Sequence, residues 1–216
     1  MTVLARAGFA ALLLLTASLA FASTPAAWAP QGAAPVEGVD YVVIDGGAPF
    51  EPVRGRVEVA EVFGYACPHC ARFEPALRAW ARTLPPDVRV VGVPAPWDGY
   101  SRAYLAARAL RVPDAAHGAL FRALHEDGSL PLRSPQPEEI AQFYARYDIA
   151  PARFMAAMQA PATQAGLRRA AEFIERAGVE GTPTVVVNGR YRVTARTQAD
   201  VLRIAGHLVA RERRAR

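Results

Sequence analysis

The chain has 216 residues, a formal net charge of +5 and two cysteines. That length buries a full core, either as one domain or as a domain carrying an insertion. Every basic residue is arginine, and most are interspersed with Asp and Glu, which excludes a nucleic-acid-binding stripe.

Residues 1–22 read as a secretory signal peptide. Arg6 supplies a positive start, 7–19 form a Leu-rich apolar run too short to span a bilayer, and Ala20-Phe21-Ala22 has the small-x-small form of a cleavage site. A later cut after Ala29 would place Pro30 just past the bond. No cysteine follows the signal to take a lipid anchor, so the mature protein is expected to be exported and soluble. Residues 23–38, rich in Pro, Ala and Gly, read as a flexible leader.

Tyr41 to Ile44 predicts an edge strand, and Gly46-Gly47-Ala48-Pro49 a turn. Val57 to Phe63 predicts a central strand with one acid, Glu61, in an apolar run. Gly64-Tyr65-Ala66 then leads into Cys67-Pro68-His69-Cys70, where Pro68 suits the first turn of a helix. Phe73, Leu77, Trp80 and Leu84 give that helix a buried face, and Pro85-Pro86 ends it. Val88 to Val93 predicts a second buried strand, completing a βαβ unit with a parallel pair.

From Trp97 to Gly178 β-branched runs vanish. Helices are expected near 102–111, 114–126, 137–147, 152–159 and 163–177, sharing a small core that includes Leu120, Phe121, Ile140, Tyr144 and Phe154. The β character returns at Gly181-Thr182-Pro183 and Thr184 to Val187. Asn188-Gly189 predicts a two-residue hairpin turn, with Arg190 to Val193 as the returning strand. Thr197 can cap a last helix running to about Ala210. The closing arginines (Arg211, Arg213, Arg214 and Arg216) read as a solvated helix end favoured by its dipole. The expected architecture is an α/β fold with a helical domain, 98–170, inserted between 39–97 and 171–216.

The two cysteines are the centre of the chemistry. A disulfide across two intervening residues closes almost no loop, so it contributes little as a staple. Half a zinc site is disfavoured because there is no second CxxC, and His117, His125 and His207 have no ligand spacing with the pair. A reactive dithiol remains. Cys67, at the helix start, has nearby N–H groups and the helix dipole favouring a thiolate. Cys70 lies one turn further in and is expected to be more shielded. Pro68 and His69, between them, set the poise: a partly protonated His69 imidazole would stabilise the Cys67 thiolate. Glu61 is a candidate buried acid that passes protons to or from Cys70, or else a surface acid on the strand. Tyr65, Trp97 and Tyr100 are candidates either for a docking surface or for the core.

The CPHC motif after a strand, the helical insertion, the Gly181-Thr182-Pro183-Thr184 loop and the closing hairpin and helix resemble the thioredoxin fold. More closely, they resemble periplasmic thiol:disulfide interchange proteins of the DsbA type, over about 39–207. The resemblance implies a thioredoxin fold with an inserted all-helical domain, and a monomer in the periplasm without a cofactor. Cys67 would attack and Cys70 resolve. A cis bond before Pro183 would hold Gly181-Thr182-Pro183 against the dithiol, leaving the Thr182 backbone to pair with an extended substrate. The implied partners are reduced, newly exported polypeptides and a quinone-linked membrane reoxidase of the DsbB type. The family often pairs its buried acid with a lysine on the next strand, which Arg89 to Val93 lacks. A reductase or isomerase of the same fold, a donor specialised for a few clients, and a chaperone-like module with a CxxC staple are the competing readings.

Overall fold

A computed structural model describes residues 28–96 and 99–216. The signal-peptide segment, the start of the leader and Trp97 lie outside the described residues. Five strands form one sheet: β1 (Tyr41–Val43), β2 (Val57–Phe63), β3 (Val88–Pro94), β4 (Thr184–Val187) and β5 (Tyr191–Val193), in the order β1-β5-β4-β2-β3. The β2–β3 pair is parallel, as its crossover through helix α1 (Pro68–Ala81) requires, and the other pairs are antiparallel.

All of β2 is buried because both faces of the sheet are covered. On one face Val57, Val59, Val185 and Val187 pack against Phe73 and Leu77 of α1 and Ile204 and Leu208 of α7 (Gln198–Arg214). On the other, Ala60, Val62, Val93 and Val186 meet Ala170, Phe173 and Ile174 of α6 (Pro161–Arg176). The remaining helices, α2 (Tyr100–Ala109), α3 (Ala115–His125), α4 (Pro137–Tyr144) and α5 (Pro151–Gln159), enclose a third core. There Tyr144 stacks on Phe154 with ring centroids 4.0 Å apart, and Phe63, Tyr65 and Cys70 join from the sheet side. The bundle therefore packs directly beneath the CxxC turn. Among the described residues no helix is long and apolar enough to cross a membrane.

Two local expectations change. Asn188 and Gly189 have positive φ (51° and 67°), and Arg190 N–H closes the turn on Val187 O at 2.9 Å. Yet Val187 pairs with Tyr191, so the hairpin loop holds three residues and Arg190 leaves the β4 ladder. The cause is outside the hairpin: Asn188 N–H bonds Glu58 O at 2.7 Å, and Arg190 O accepts from Ile44 N–H at 2.8 Å. The arginine-rich end of α7 is tied down as well. Arg211 donates to Tyr41 Oη at 2.7 Å and Arg213 to Asp87 at 2.9 Å. Helix α7 runs to Arg214, one turn past the expected end.

Candidate active site

The end of β2 feeds a short turn in which Cys67 N–H bonds Gly64 O at 3.1 Å. Cys67 is the N-cap of α1 and Pro68 follows at the first helical position, where a missing N–H costs nothing. No acid lies in the first turn of the helix to oppose a thiolate. Cys67 is half-buried and Cys70 fully buried, both as free thiols, while Pro68 and His69 are exposed. The Thr182–Pro183 peptide is cis, and it places Thr182 O 3.3 Å from Cys67 Sγ. Thr184 Oγ1 donates to Gly181 O at 2.7 Å and closes this loop. The sheet thus brings together residues far apart in sequence. A cleft of about 330 Å³ beside the pair is lined by His69, Phe73, Thr182, Pro183 and Arg196 among others.

The two thiols are driven in opposite directions. Burial raises the Cys67 pKa, but hydrogen bonding with the Thr182 side chain, the Cys70 and His69 N–H groups and the Cys70 thiol outweighs it, so the net shift is downward. Cys70 is pushed far above an ordinary thiol, first by burial, then by the charges of Glu61 and Cys67, against lowering contacts from Gly64 and Thr182. His69 enters through its backbone. Its imidazole Nδ1 lies 2.9 Å from Arg72, which can only donate, so Nδ1 accepts in this contact.

Below the dithiol lies a buried charged cluster. Glu61 is 2% exposed, Glu74 5% and His117 7%. Burial, then the charge of Glu74, raises the Glu61 pKa well above the carboxylate range. Arg89 is not the partner of Glu61: it reaches Glu51 and, at 3.1 Å, Glu58. The nearby cation is Arg78, which bonds Glu74 at 2.6 Å. The carboxylates and His117 present ligand atoms within 4.8 Å of one another, a spacing open to a cation. The guanidinium already brings a positive charge to this cluster.

Sequence reasoning missed Glu74, Arg78 and His117. Glu74 follows Cys70 at i,i+4 and Arg78 follows Glu74 likewise, so the same helix face was readable as polar. His117 comes from α3 and has no local signal. Tyr65 and Tyr100 are buried core rather than docking surface.

A thioredoxin family profile matches residues 54–205. The thiol:disulfide interchange protein DsbA of Pseudomonas aeruginosa is 33% identical over 210 residues, covering 94% of this chain and 97% of that protein. The chain belongs to the DsbA family. The crystal structure of the oxidoreductase DsbA from Xylella fastidiosa superposes with a TM-score of 0.81 at 47% identity, over 83% of this chain and 98% of that one. That of Pseudomonas aeruginosa DsbA gives 0.74 at 32% identity, over 84% and 96%. This DsbA-family chain is accordingly a periplasmic thiol:disulfide oxidoreductase with the thioredoxin fold and helical insertion expected from its sequence. Its dithiol geometry favours donating disulfides, since a reduced form holding Cys67 as thiolate is stabilised.

Proposed function

We propose that Cys67 carries the mixed disulfide and that Cys70 is the leaving thiolate, the one that resolves the mixed disulfide when the exchange runs in reverse. A client thiolate attacks Cys67 Sγ, the Cys67–Cys70 bond breaks, and its electron pair goes to Cys70 Sγ. The Cys70 thiolate, strongly basic in its buried position, takes a proton from Glu61. A second client thiolate then attacks the client sulfur of the mixed disulfide, forming the client disulfide and releasing Cys67 as thiolate. The client loses two electrons and two protons, the enzyme gains the electrons, and solvent returns a proton to Glu61. The observation that carries this assignment is the placement of the two thiols: Cys67 is half-buried at the start of α1 beside Thr182 O, where a client can reach it, and Cys70 is fully buried behind it.

Thr182 bonds the Cys67 thiol through its backbone carbonyl, and Gly181-Thr182-Pro183 form the wall against which an extended client pairs. Pro68 and His69 shape the turn, His69 chiefly through its N–H. The clients are reduced, newly exported polypeptides, and the reoxidant is a quinone-linked membrane protein of the DsbB type. We take 98–170 as the inserted helical unit between 39–97 and 171–216. Helix α6 supports a boundary near Ala170. Gly166 lies against Leu105 of the bundle, where an added Cβ would come within 2.9 Å, whereas Phe173 and Ile174 cover the sheet.

The test uses two clients, one bearing a disulfide for trapping and one chemically reduced and unfolded for the transfer assay. Cys70→Ala, exchanged with a disulfide-bearing client, should accumulate a mixed disulfide through Cys67, visible on non-reducing gels, and Cys67→Ala should form none. Transfer that persists in Cys67→Ala overturns the assignment.

A further inference from the structure

The sequence lacks a basic partner for Glu61 on the adjacent strand, yet the buried cluster is not without bases. His117 sits on α3, outside the βαβ unit that carries the dithiol. Tyr65 Oη lies 2.6 Å from its Nδ1, so Nε2 is the nitrogen presented to the acids. Nε2 is 3.5 Å from Glu74 Oε2, within ion-pair reach but too long for a good hydrogen bond. Glu74 Oε2 has no hydrogen-bond partner, nor has Glu61 Oε1. Two buried carboxylate oxygens thus meet one imidazole nitrogen in the space under Cys70.

We propose that His117 is a positioning residue for proton transfer at Cys70: it holds Glu74 as the carboxylate, and that fixed negative charge keeps the proton on Glu61. The inference rests on the proposed Glu61-to-Cys70 step and names the residue that prepares it.

The acidities of the pair agree with this division. Burial would raise Glu74, but the nearby His117, followed by Arg78, brings it below the usual carboxylate value. For Glu61 the charge of Arg78 is outweighed by burial and by Glu74, and its pKa goes the other way. Two carboxylates this close share one proton between them, and the one better supplied with cations gives it up. The other groups around His117 do not compete. Tyr65 is held neutral, first by burial, and so is Tyr104, whose pKa is pushed up to about 12 and whose Oη accepts from Gly92 N–H. A cavity of about 200 Å³ reaches His117 between Asp114, Arg89 and Arg108. Arg89 and Arg108 are engaged by Glu51, and Arg78, which also lines the cavity, by Glu74, so Asp114 is the remaining rim charge.

The placement has a consequence for the fold. The dithiol and Glu61 belong to the sheet unit, whereas the base that sets their proton count belongs to the bundle. Packing between α1 and α3 is then part of the chemistry, and loosening it without touching any site residue should move the proton.

The experiment is a carbon-13 NMR titration of carboxyl-labelled Glu in the full folded, reduced enzyme, with signals assigned through Glu61→Gln and Glu74→Gln. In His117→Gln the Glu74 midpoint should rise and the Glu61 midpoint fall, each by about one pH unit. His117→Leu should give the larger shift, and His117→Gln decides alone if the leucine variant does not fold. A lower melting temperature with both midpoints unchanged means that His117 is only structural, and overturns the proposal. In a Glu74→Gln background, His117→Gln should leave Glu61 unmoved, and a residual shift overturns the route through Glu74. Client oxidation by Glu61→Gln separates the two levels. A wild-type rate there overturns the underlying proton step, whereas a slowed rate with unmoved titrations overturns only the role of His117.

Discussion

Replacing Glu61 by Gln should stabilise the reduced protein at pH 8 and leave its stability nearly unchanged near pH 4. Glu61 is buried with its pKa raised, first by desolvation and second by Glu74. The native state therefore holds a proton that the unfolded chain, with a carboxylate pKa of about 4.3, releases. Protons bound in the native state exceed those in the unfolded state, so this group's stabilising contribution is complete below the unfolded value and is lost as pH rises toward the folded one. Each unit of upward shift corresponds to about 1.4 kcal/mol, or about 3–6 °C in a protein of this size. Glutamine removes that pH-dependent loss. Leucine also removes the carboxyl oxygen that has no partner, Oε1, worth a further ~1–3 kcal/mol. The assay is calorimetric melting of wild type, Glu61→Gln and Glu61→Leu, reduced, from pH 4 to pH 8. A Gln-minus-wild-type difference that is flat with pH, or that turns unfavourable at pH 8, refutes the reasoning. Glu74 titrates with the opposite sign and is common to all three proteins, so it does not imitate the effect.

The split thiols also predict how the reduction potential varies with pH. Where Cys67 is a thiolate and Cys70 still a thiol, reduction takes up one proton, so the potential should fall by about 30 mV per pH unit above the Cys67 pKa and by about 59 mV below it, with the break at lower pH than for an ordinary thiol. A 59 mV slope throughout, measured against glutathione, would show that Cys67 has no depressed pKa. Gly189→Ala should cost at least about 1–2 kcal/mol in urea unfolding. Its φ of +67° disfavours a side chain, and an added Cβ would collide with the Ala48 backbone. Thr197→Ala removes the hydroxyl that accepts Asp200 N–H at 3.1 Å at the start of α7. The expected loss is about 1 kcal/mol, read as a lower melting temperature with disulfide transfer unchanged.

The sequence alone carried most of the architecture, because its signals are local. Val57 to Phe63 and Val88 to Val93 are long enough and apolar enough to be buried strands. Pro68, Pro137 and Thr197 mark helix starts, and a CxxC at a helix start is redox chemistry wherever the chain folds around it. Periodicity also located the bundle helices within a residue or two. Where local signals failed, a distant backbone had intervened. Asn188-Gly189 still turned the chain, but Glu58 O and Ile44 N–H claimed the neighbouring groups and opened the hairpin by one residue.

The electrostatics of the site belonged to tertiary structure. Glu61 was visible as an acid in an apolar strand, yet its partners come from two other elements. Arg89, next door in the ladder, turns to Glu51 and Glu58, while Arg78 and His117 converge from α1 and α3. His69 was visible between the cysteines, but its contact with Arg72, one helical turn away, was not singled out. Charge acts through space with a dielectric set by burial, and neither distance nor burial is written in residue order. The motif and its place at a helix start therefore pointed to two sulfurs that exchange disulfides, with Cys67 the more acidic. Only the fold decided which buried groups surround the pair.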